Sequence, residues 1–330
     1  MLFILKRFVQ GLGVLLGTLT LVFFIFAWVP DPSREIAGQN ATEEFIQNFR
    51  ELHGLDQTVP TRYFNYICGL SPVGKKADGG WGFRAPDLGR SYYTSEPVVS
   101  SIKNALPSTM LLAVVAILFA TIVGVSIGLL IAVQGKSWWG DAILSVCSLG
   151  MSAPSFVVAI IVAWLFGYVL HSYTGLPMTG GMVEVDPFEG PRIALTHLIL
   201  PALTLGIRPL AVIIQLTRNS AVEVISEPYI RTAKAKGLSQ SRILFKHVLR
   251  NSLNPVITAT SGWFASMLAG AVFVEFVFGW KGMGLLIFKA LENVDLPIVM
   301  GSTIVIATIF VLVNIVVDVL YAVLDPRVRS

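Results

Sequence analysis

The residues that could carry out enzymatic chemistry are few and scattered along this chain. Gly135-Lys136-Ser137 resembles the end of a phosphate-binding loop, but that motif needs a glycine five residues before Gly135, and Leu130 stands there. The four histidines lie far apart, and neither they nor the two cysteines have the spacing of a metal site. We therefore predict no catalytic residue, no metal and no cofactor in this chain, and we exclude ATP binding by it.

Four polar residues within or beside apolar tracts are the remaining candidates for a functional site. An ionisable side chain inside a membrane segment is costly, so it is a functional candidate by default. Arg208 either lines a transport path or pairs with a backbone carbonyl, and Glu275 is either part of a gate or a hydrated group at the membrane surface. Asn314 and Asp318 lie four residues apart on one predicted helix face, where bracing against a neighbouring helix is favoured over substrate contact.

The composition indicates that lipid is the main solvent of this chain. Hydrophobic residues make up 54% of it and charged residues only 13%, whereas soluble domains carry about 25% charged residues. The net charge of +4 is too small and too dispersed for a nucleic-acid-binding protein. About 20 apolar residues cross a bilayer as a helix. We predict an all-α polytopic membrane protein with six spans, at residues 8–29, 107–133, 142–170, 193–216, 256–278 and 298–324.

The chain divides into three predicted parts, namely a first transmembrane helix (1–30), a loop region (31–104) and a core domain with five transmembrane helices (105–330). Lys6 and Arg7 precede the first span, which we expect to be retained because it is longer than the apolar region of a signal peptide and ends without a suitable cleavage site. Positively charged short loops favour the cytoplasm. Both termini are therefore predicted to be cytoplasmic, and the loop region to be extracytoplasmic.

The loop region and the spans contain local signals of their own. The tract Asn-Ala-Thr-Glu at 40–43 predicts a helix start and Gly54 a helix end, with a second helix near 63–67 and a loop from Leu70 to Arg90. Gly124 and Gly128 either permit close helix packing or are simply tolerated in a membrane helix. Pro154 predicts a kink in the third span.

The segment 218–255 is basic and polar, although it lies between two long apolar tracts. It holds seven Lys and Arg residues against two Glu. We expect Ser226 to cap a helix that ends at Gly237, and Ser239 to cap a second helix to about Leu253. A solvated loop held near anionic lipid would explain the charge, but not two capped helices. Short helices with Tyr229 and Ala233 among the charges favour a groove on another protein.

The tract Tyr229-Ile230-Arg231-Thr232-Ala233-Lys234-Ala235-Lys236-Gly237-Leu238-Ser239 resembles the coupling loop of bacterial ABC importer permeases. Tracts 274–284, 314–327 and 87–92 resemble the dipeptide, oligopeptide and nickel group of these permeases in particular. Of the general importer motif only Ala233, Gly237 and Leu249 match, a departure that is common in the peptide group. The resemblance covers nearly the whole chain in order.

This resemblance implies a type I importer permease fold with a cytoplasmic coupling helix between spans four and five, in the inner (plasma) membrane of a bacterium. It also implies four kinds of partner: a second homologous permease subunit, two ATP-binding cassette ATPase subunits, an extracytoplasmic substrate-binding protein and the lipid bilayer, with no nucleic acid. The cargo would be peptides or similar small solutes, nickel or another metal chelate being the alternative. A non-transporting membrane scaffold is the alternative from another class. The implied ATPase contacts are Glu227, Tyr229, Ile230, Arg231, Thr232, Ala233, Lys234, Lys236, Gly237 and Ser239.

Overall fold

The computed structural model describes residues 2–28, 32–37, 42–75, 80–186 and 190–324, and this part of the chain is mostly helical. Its helices are α1 (Leu2–Ala27), α2 (Pro32–Ala37), α3 (Glu43–His53), α4 (Val59–Leu70), α5 (Val98–Gln134), α6 (Trp138–Ser152), α7 (Ser155–Trp164), α8 (His171–Thr174), α9 (Thr196–Ser226), α10 (Pro228–Ala235), α11 (Gln240–Ile243), α12 (Arg250–Gly270), α13 (Val272–Phe278), α14 (Met283–Glu292) and α15 (Leu296–Leu324). Its strands are β1 (Val73–Lys75), β2 (Trp81–Phe83), β3 (Val183–Asp186) and β4 (Gly190–Ile193). Two π-helical turns, Leu165–Val169 and Leu244–Leu249, follow α7 and α11.

Four of these helices are long and apolar enough to cross a membrane, namely α1, α5, α9 and α15. Two bent pairs satisfy the same test of length and composition. One joins α6 to α7 and its π-turn at an angle of 113°, and the other joins the 240–268 helix to α13 at 59°. If each bent pair is one span, the described residues hold six spans, which is the predicted number.

The chain forms two compact units. Unit 1 comprises residues 1–106 and 286–311, and unit 2 comprises residues 107–285 and 312–330. Helices α5, α14 and α15 each contribute residues to both units.

Helix α3 of unit 1 begins at the end of the predicted tract 40–43, with Thr42 as its N-cap, and ends at Gly54 as its sequence predicts. The backbone N–H of Phe45 donates to Thr42 Oγ1 at 3.3 Å, which satisfies one of the free donors of the first turn. Gly54 ends the helix with a φ of 63°, a left-handed conformation that glycine adopts without a steric penalty. Ile46 and Phe49 are buried on one face, and they hold the helix on the rest of unit 1.

An aromatic cluster joins α4 to the end of α1. The ring of Phe23 lies 5.1 Å from that of Tyr63 and 6.4 Å from that of Tyr66. The hydroxyls of Thr20 and Tyr63 share a hydrogen bond of 2.6 Å. The predicted second helix is thus confirmed, and its aromatic side chains anchor it to the first membrane helix.

Two segments outside the helices contain short hairpins. Strands β1 and β2 pair antiparallel with Gly74 opposite Gly82, and β3 and β4 pair with Glu184 opposite Arg192. The prediction of a loop from Leu70 to Arg90 was wrong for β1 and β2, and the alternation of Trp81 and Phe83 about Gly82 is typical of a strand. The turn residues 76–79 and 187–189 lie outside the described residues.

Close packing of α5 on α9 organises unit 2. A Cβ atom added to Gly124 would lie 2.7 Å from Ile213 Cγ2, and one added to Gly128 would lie 2.7 Å from Ile214 O and Thr217 Cβ. These glycines therefore permit a helix approach that a side chain would block, which decides between the two interpretations of the pair.

Prolines shape the spans of unit 2 in different ways. Ala153 and Pro154 both have extended backbone between α6 and α7, so the predicted kink is a complete break of the helix. Pro201 and Pro209 are buried within α9, which continues through both. Helix α9 also extends to Ser226, so the first nine residues of the segment 218–255 are helical rather than loop.

Candidate functional site

The start of α10 is set by Pro228 rather than by a serine cap. Residue 227 is the N-cap, with φ −63° and ψ 142°, because a proline restricts the residue before it to extended conformations. The predicted cap at Ser226 was wrong: this residue ends α9, and its hydroxyl donates back to Glu223 O at 2.7 Å. The break between α9 and α10 is therefore a single extended residue, Glu227.

The end of α10 confirms the prediction made for Gly237. This glycine has a φ of +76°, and its N–H donates to Lys234 O at 3.0 Å. The N–H of Leu238 reaches Ala233 O at 3.3 Å, which completes the two-bond helix ending known as the Schellman motif. The chain then turns towards Ser239, the N-cap of α11, whose side chain makes no capping hydrogen bond.

The inner face of α10 is packed against other helices of this chain. Ile230 is 1% exposed and Ala233 is 8% exposed. They share a buried apolar cluster with Leu129 of α5, Ala221 of α9 and Val248 of the second π-turn. Burial of this depth leaves Ile230 and Ala233 little surface for the direct ATPase contacts predicted for them. They instead fix α10 on α5 and α9.

The outer face of α10 and its flanks carry charged and polar side chains. Tyr229 is 42% exposed, and its hydroxyl accepts a hydrogen bond from Asn251 Nδ2 of α12 at 2.9 Å. Of the other predicted contact residues, those with an exposed position are Glu227, Arg231, Thr232, Lys234, Lys236, Gly237 and Ser239. The surface that they form, called the α10 surface below, is available to a partner.

The second predicted helix of this segment is present but irregular. It starts at Gln240 as expected, passes through the π-turn 244–249 and continues without a break into α12. The predicted end near Leu253 was wrong because Pro255 lies inside α12 without ending it. One continuous helical path thus leads from the α10 surface into the membrane-spanning part of unit 2.

Arg208 supports the break between α6 and α7. Its Nη2 donates to Met151 O at 3.3 Å, in the last turn of α6 where carbonyl groups have no helical partner. This contact confirms the predicted pairing with a carbonyl. Arg208 also borders a small cavity of about 80 Å³, together with Thr204, Trp263 and Ser266. A role in lining a transport path stays a prediction.

Glu275 is a buried polar centre of unit 2. It is 0% exposed, so the interpretation as a hydrated surface group was wrong. Its carboxyl group accepts hydrogen bonds from Thr109 Oγ1 at 2.6 Å and from the N–H of Leu285 at 3.0 Å. Thr109 Oγ1 in turn accepts from the N–H of Met283 at 2.7 Å. A buried acceptor of this kind holds its donors in place because losing it would leave them unpaired.

The loop after α13 is folded around that carboxyl group. Gly279 ends α13 with a φ of 66°, and Trp280 is fully buried with its Nε1 donating to Ser108 O at 3.0 Å. A Cβ atom added to Gly282 would collide with the Glu275 carboxyl and the Thr109 hydroxyl. The segment Gly279–Gly284 is thus fixed to α5 next to Pro107, the residue at which the unit 2 part of that helix begins. We call the group formed by Thr109, Glu275, Trp280 and Gly282 the Glu275 cluster.

Asn314 and Asp318 both lie on α15, as expected for residues four apart on one helix. Asn314 is half-buried. The side chain of Asp318 and the C-terminal tract 325–330 lie outside the described residues. Bracing by this pair stays a prediction.

Three contributors to these sites were missed by sequence reasoning. Thr109 and Ser108 lie more than 160 positions from their partners Glu275 and Trp280, and Asn251 lies 22 positions from Tyr229. Serine, threonine and asparagine are common in membrane helices, so residue type gave no signal. Only the folded arrangement identifies them.

Comparison with known proteins finds matches along almost the entire chain. Residues 124–330 match the family described as binding-protein-dependent transport system inner membrane component, and residues 1–113 match its N-terminal companion family. The dipeptide transport system permease protein DppB of Escherichia coli K12 is 35% identical, with 99% of this chain and 98% of that protein covered. DppB of Alkalihalophilus pseudofirmus is 32% identical, with 98% of each chain covered.

A putative peptide transport system permease protein of Brucella abortus is 34% identical, with 99% of this chain and 98% of that protein covered. Among solved structures, the inward-facing MetNI methionine ABC transporter has a chain that matches with a TM-score of 0.52 and 16% identity. That match covers 70% of this chain and 100% of the other, and it supports the type I permease fold. The coupling-loop resemblance, the four to six candidate spans and these matches agree: the chain belongs to the family of binding-protein-dependent transport system inner membrane components, the permease subunits of ABC importers.

Proposed function

We propose that this chain forms half of the translocation path of a bacterial peptide importer. The other half would be a second homologous permease subunit. Two ATPase subunits would bind from the cytoplasm, and a substrate-binding protein would deliver cargo from outside. In this arrangement the chain spans the inner membrane with both termini in the cytoplasm, and the α10 surface faces the ATPase.

The observation that carries this proposal is the two-sided construction of α10. Its buried face is fixed to α5, α9 and the second π-turn through Ile230 and Ala233. Its opposite face presents Arg231, Lys234 and other exposed polar residues. A helix fixed on one side and exposed on the other can transmit a displacement from a partner to the membrane helices.

The mechanism follows from that construction. A groove on the ATPase would take the α10 surface, and ATP-driven closure of the ATPase dimer would move α10 as a rigid body. Since α10 shares a packed cluster with α5 and α9, those helices would move with it. The path would open towards the binding protein in one state and towards the cytoplasm in the other. ATP hydrolysis, carried out by the partner, would reset the cycle.

The peptide assignment is supported by the names of three similar proteins, two dipeptide permeases and one putative peptide permease. All three are at least 32% identical to this chain over nearly its full length. Within the chain, selectivity would depend on side chains facing the path, and a separate binding protein would present the cargo. Nickel or a metal chelate is the competing cargo.

The test is uptake by proteoliposomes that contain the chain with a homologous permease, an ATPase and a binding protein from the same bacterium. We expect ATP-dependent uptake of a radiolabelled dipeptide. A double variant, Arg231→Glu with Lys234→Glu, should abolish both ATPase co-purification and uptake. The matched control is Lys136→Glu, another exposed charge on the predicted cytoplasmic side, and it should leave both unchanged.

Two outcomes would contradict the proposal. If the charge-reversed variant still bound the ATPase and still transported the dipeptide, the α10 surface would not be the contact. If nickel chelates but not dipeptides were taken up, the importer assignment would stand and the cargo would be wrong.

A further inference from the structure

Unit 1 contains a cavity of about 580 Å³ whose lining includes no residue of α10 or of the Glu275 cluster. Its lining includes apolar side chains, among them Phe23 and Phe26 from the last turns of α1 and Met300 from α15. It also includes polar side chains, among them Arg62 and Tyr66 from α4 and Arg90 from the tract before α5. Its volume lies within the range of about 300–1,000 Å³ that is typical of small-molecule sites.

The polar residues of the lining are rich in hydrogen-bond donors. Among the described residues, the half-buried Arg62 guanidinium has no hydrogen-bond or ion-pair partner. Arg90 uses only Nη1, which donates to Ser95 O at 3.1 Å. The Tyr66 hydroxyl is buried without a partner in the same part of the chain, and burial raises its pKa, so it stays a protonated donor.

The other titratable groups that line this cavity do not offset the positive charge of its two arginines. Asp87 lines it, but its Oδ1 already accepts the N–H of Gly89 at 2.9 Å. His53 also lines it, and burial lowers the pKa of this imidazole, against the opposing effect of the Asp295 carboxylate. His53 is therefore mainly neutral at pH 7. Two guanidinium groups face one carboxylate, which favours an anionic ligand.

The cavity can be reached from the lipid. Only 17% of the residues in the most apolar window of α1 are buried, so most of this helix is left for the bilayer. Phe26 is half-buried and lines the cavity next to the exposed Ile25 of that surface, and Trp28, which is 88% exposed, follows at the end of α1. Tryptophan is enriched where a membrane helix meets the headgroup region. The cavity therefore lies beside the end of α1, at the depth expected of lipid phosphates.

We propose that this cavity binds one anionic phospholipid. Its phosphate would contact Arg62, Arg90 and Tyr66, and an acyl chain would run along Phe26 towards the bilayer. The site would hold the loop region against the first membrane helix. It involves neither α10 nor the Glu275 cluster, so it does not depend on the proposed transport function.

The test is lipid retention by the full-length chain, purified from nanodiscs of phosphatidylcholine with phosphatidylglycerol and studied by native mass spectrometry. We expect one retained phosphatidylglycerol per chain. The double variant Arg62→Gln with Arg90→Gln should retain at least about tenfold less phosphatidylglycerol, because two charge-assisted contacts are lost. Lys103→Gln is the matched control because Lys103 is an exposed cation of unit 1 that does not line the cavity, and it should retain the lipid.

A milder variant protects the test against misfolding. Tyr66→Phe removes only the hydroxyl, and it should reduce retention a few-fold while leaving the circular dichroism spectrum unchanged. If both Tyr66→Phe and the double variant retained as much phosphatidylglycerol as the unchanged chain, the proposal would be overturned. Displacement of the lipid by inorganic phosphate at millimolar concentration, or equal retention of phosphatidylcholine, would also overturn it, the first in favour of a free-anion site.

Discussion

Two helices of unit 2 end in the same way but in opposite surroundings. At Gly237 and at Gly279 a glycine with positive φ follows the helix, and two backbone hydrogen bonds close the Schellman motif. Beyond Gly237 the chain stays exposed and carries charges, whereas beyond Gly279 it enters the buried Glu275 cluster. The same local signal therefore precedes a surface for a partner in one case and an internal fixing point in the other. What distinguishes them is contact with residues distant in sequence.

The strongest test of this contrast is Glu275→Ala. The substitution leaves Thr109 Oγ1 and the N–H of Leu285 without their acceptor in a buried site. Each unpaired buried donor costs about 1–3 kcal/mol, so we expect a loss of several kcal/mol in the free energy of unfolding. Thermal unfolding of the purified chain in detergent measures it. Glu275→Gln keeps the shape and one acceptor, and should lose less. Equal unfolding temperatures for all three chains would show that the carboxyl group does not hold the loop.

Next in size is Gly282→Ala. A methyl group at this position collides with the Glu275 carboxyl and the Thr109 hydroxyl, which are buried and hydrogen-bonded to each other. Overpacking of this kind costs about 1–3 kcal/mol, and the same unfolding assay should detect it. The control is Gly262→Ala in α12, where the added Cβ meets nothing within 4 Å. It should be neutral or stabilising, because alanine is favoured over glycine inside a helix by about 0.5–1 kcal/mol. If Gly262→Ala lowered the unfolding temperature and Gly282→Ala left it unchanged, close packing at Gly282 would be contradicted.

The sequence predicts the α10 region better than the Glu275 cluster, for a physical reason. The end of α10 depends on Gly237 and on hydrogen bonds within six residues, all visible in the local pattern. Its start was misplaced by one residue because the restriction by Pro228 outweighs the capping preference of Ser226. Glu275 was found as a charge in an apolar tract, but its burial depends on Thr109, 166 positions away. No local pattern encodes a contact over that distance.

The burial of Ile230 and Ala233 illustrates the same limit within α10 itself. Residue types and spacing predict a short helix with an apolar side, and the structure contains it. They do not say whether that side faces a partner or the rest of the chain. The packed cluster with α5, α9 and the second π-turn decides it, and the exposed charges then define the surface left for a partner.

A third prediction compares the two glycine turns directly. Gly237→Ala and Gly279→Ala each place a side chain at positive φ in open space. The left-handed conformation costs about 1–2 kcal/mol for alanine, so both should lower the free energy of unfolding by that amount. Only Gly237→Ala should also reduce ATPase co-purification, since it shifts the α10 surface. Gly237→Asn should recover much of the stability because asparagine tolerates this conformation better. A larger stability loss at Gly237 than at Gly279 would contradict the equivalence of the two turns.

The smallest expected effect is that of Tyr229→Phe. This change removes the hydroxyl that accepts a hydrogen bond from Asn251 Nδ2 and leaves the ring in place. Because Tyr229 is 42% exposed, water can replace the lost partner, and the cost should lie near the lower end of about 0.5–1.5 kcal/mol. A double-mutant cycle with Asn251→Ala measures the pair: the combined loss should be smaller than the sum of the single losses. If the two losses were additive, the contact would not be an energetic link between α10 and α12. The buried contacts of Ile230 and Ala233 would then be the main connection through which α10 moves the membrane helices.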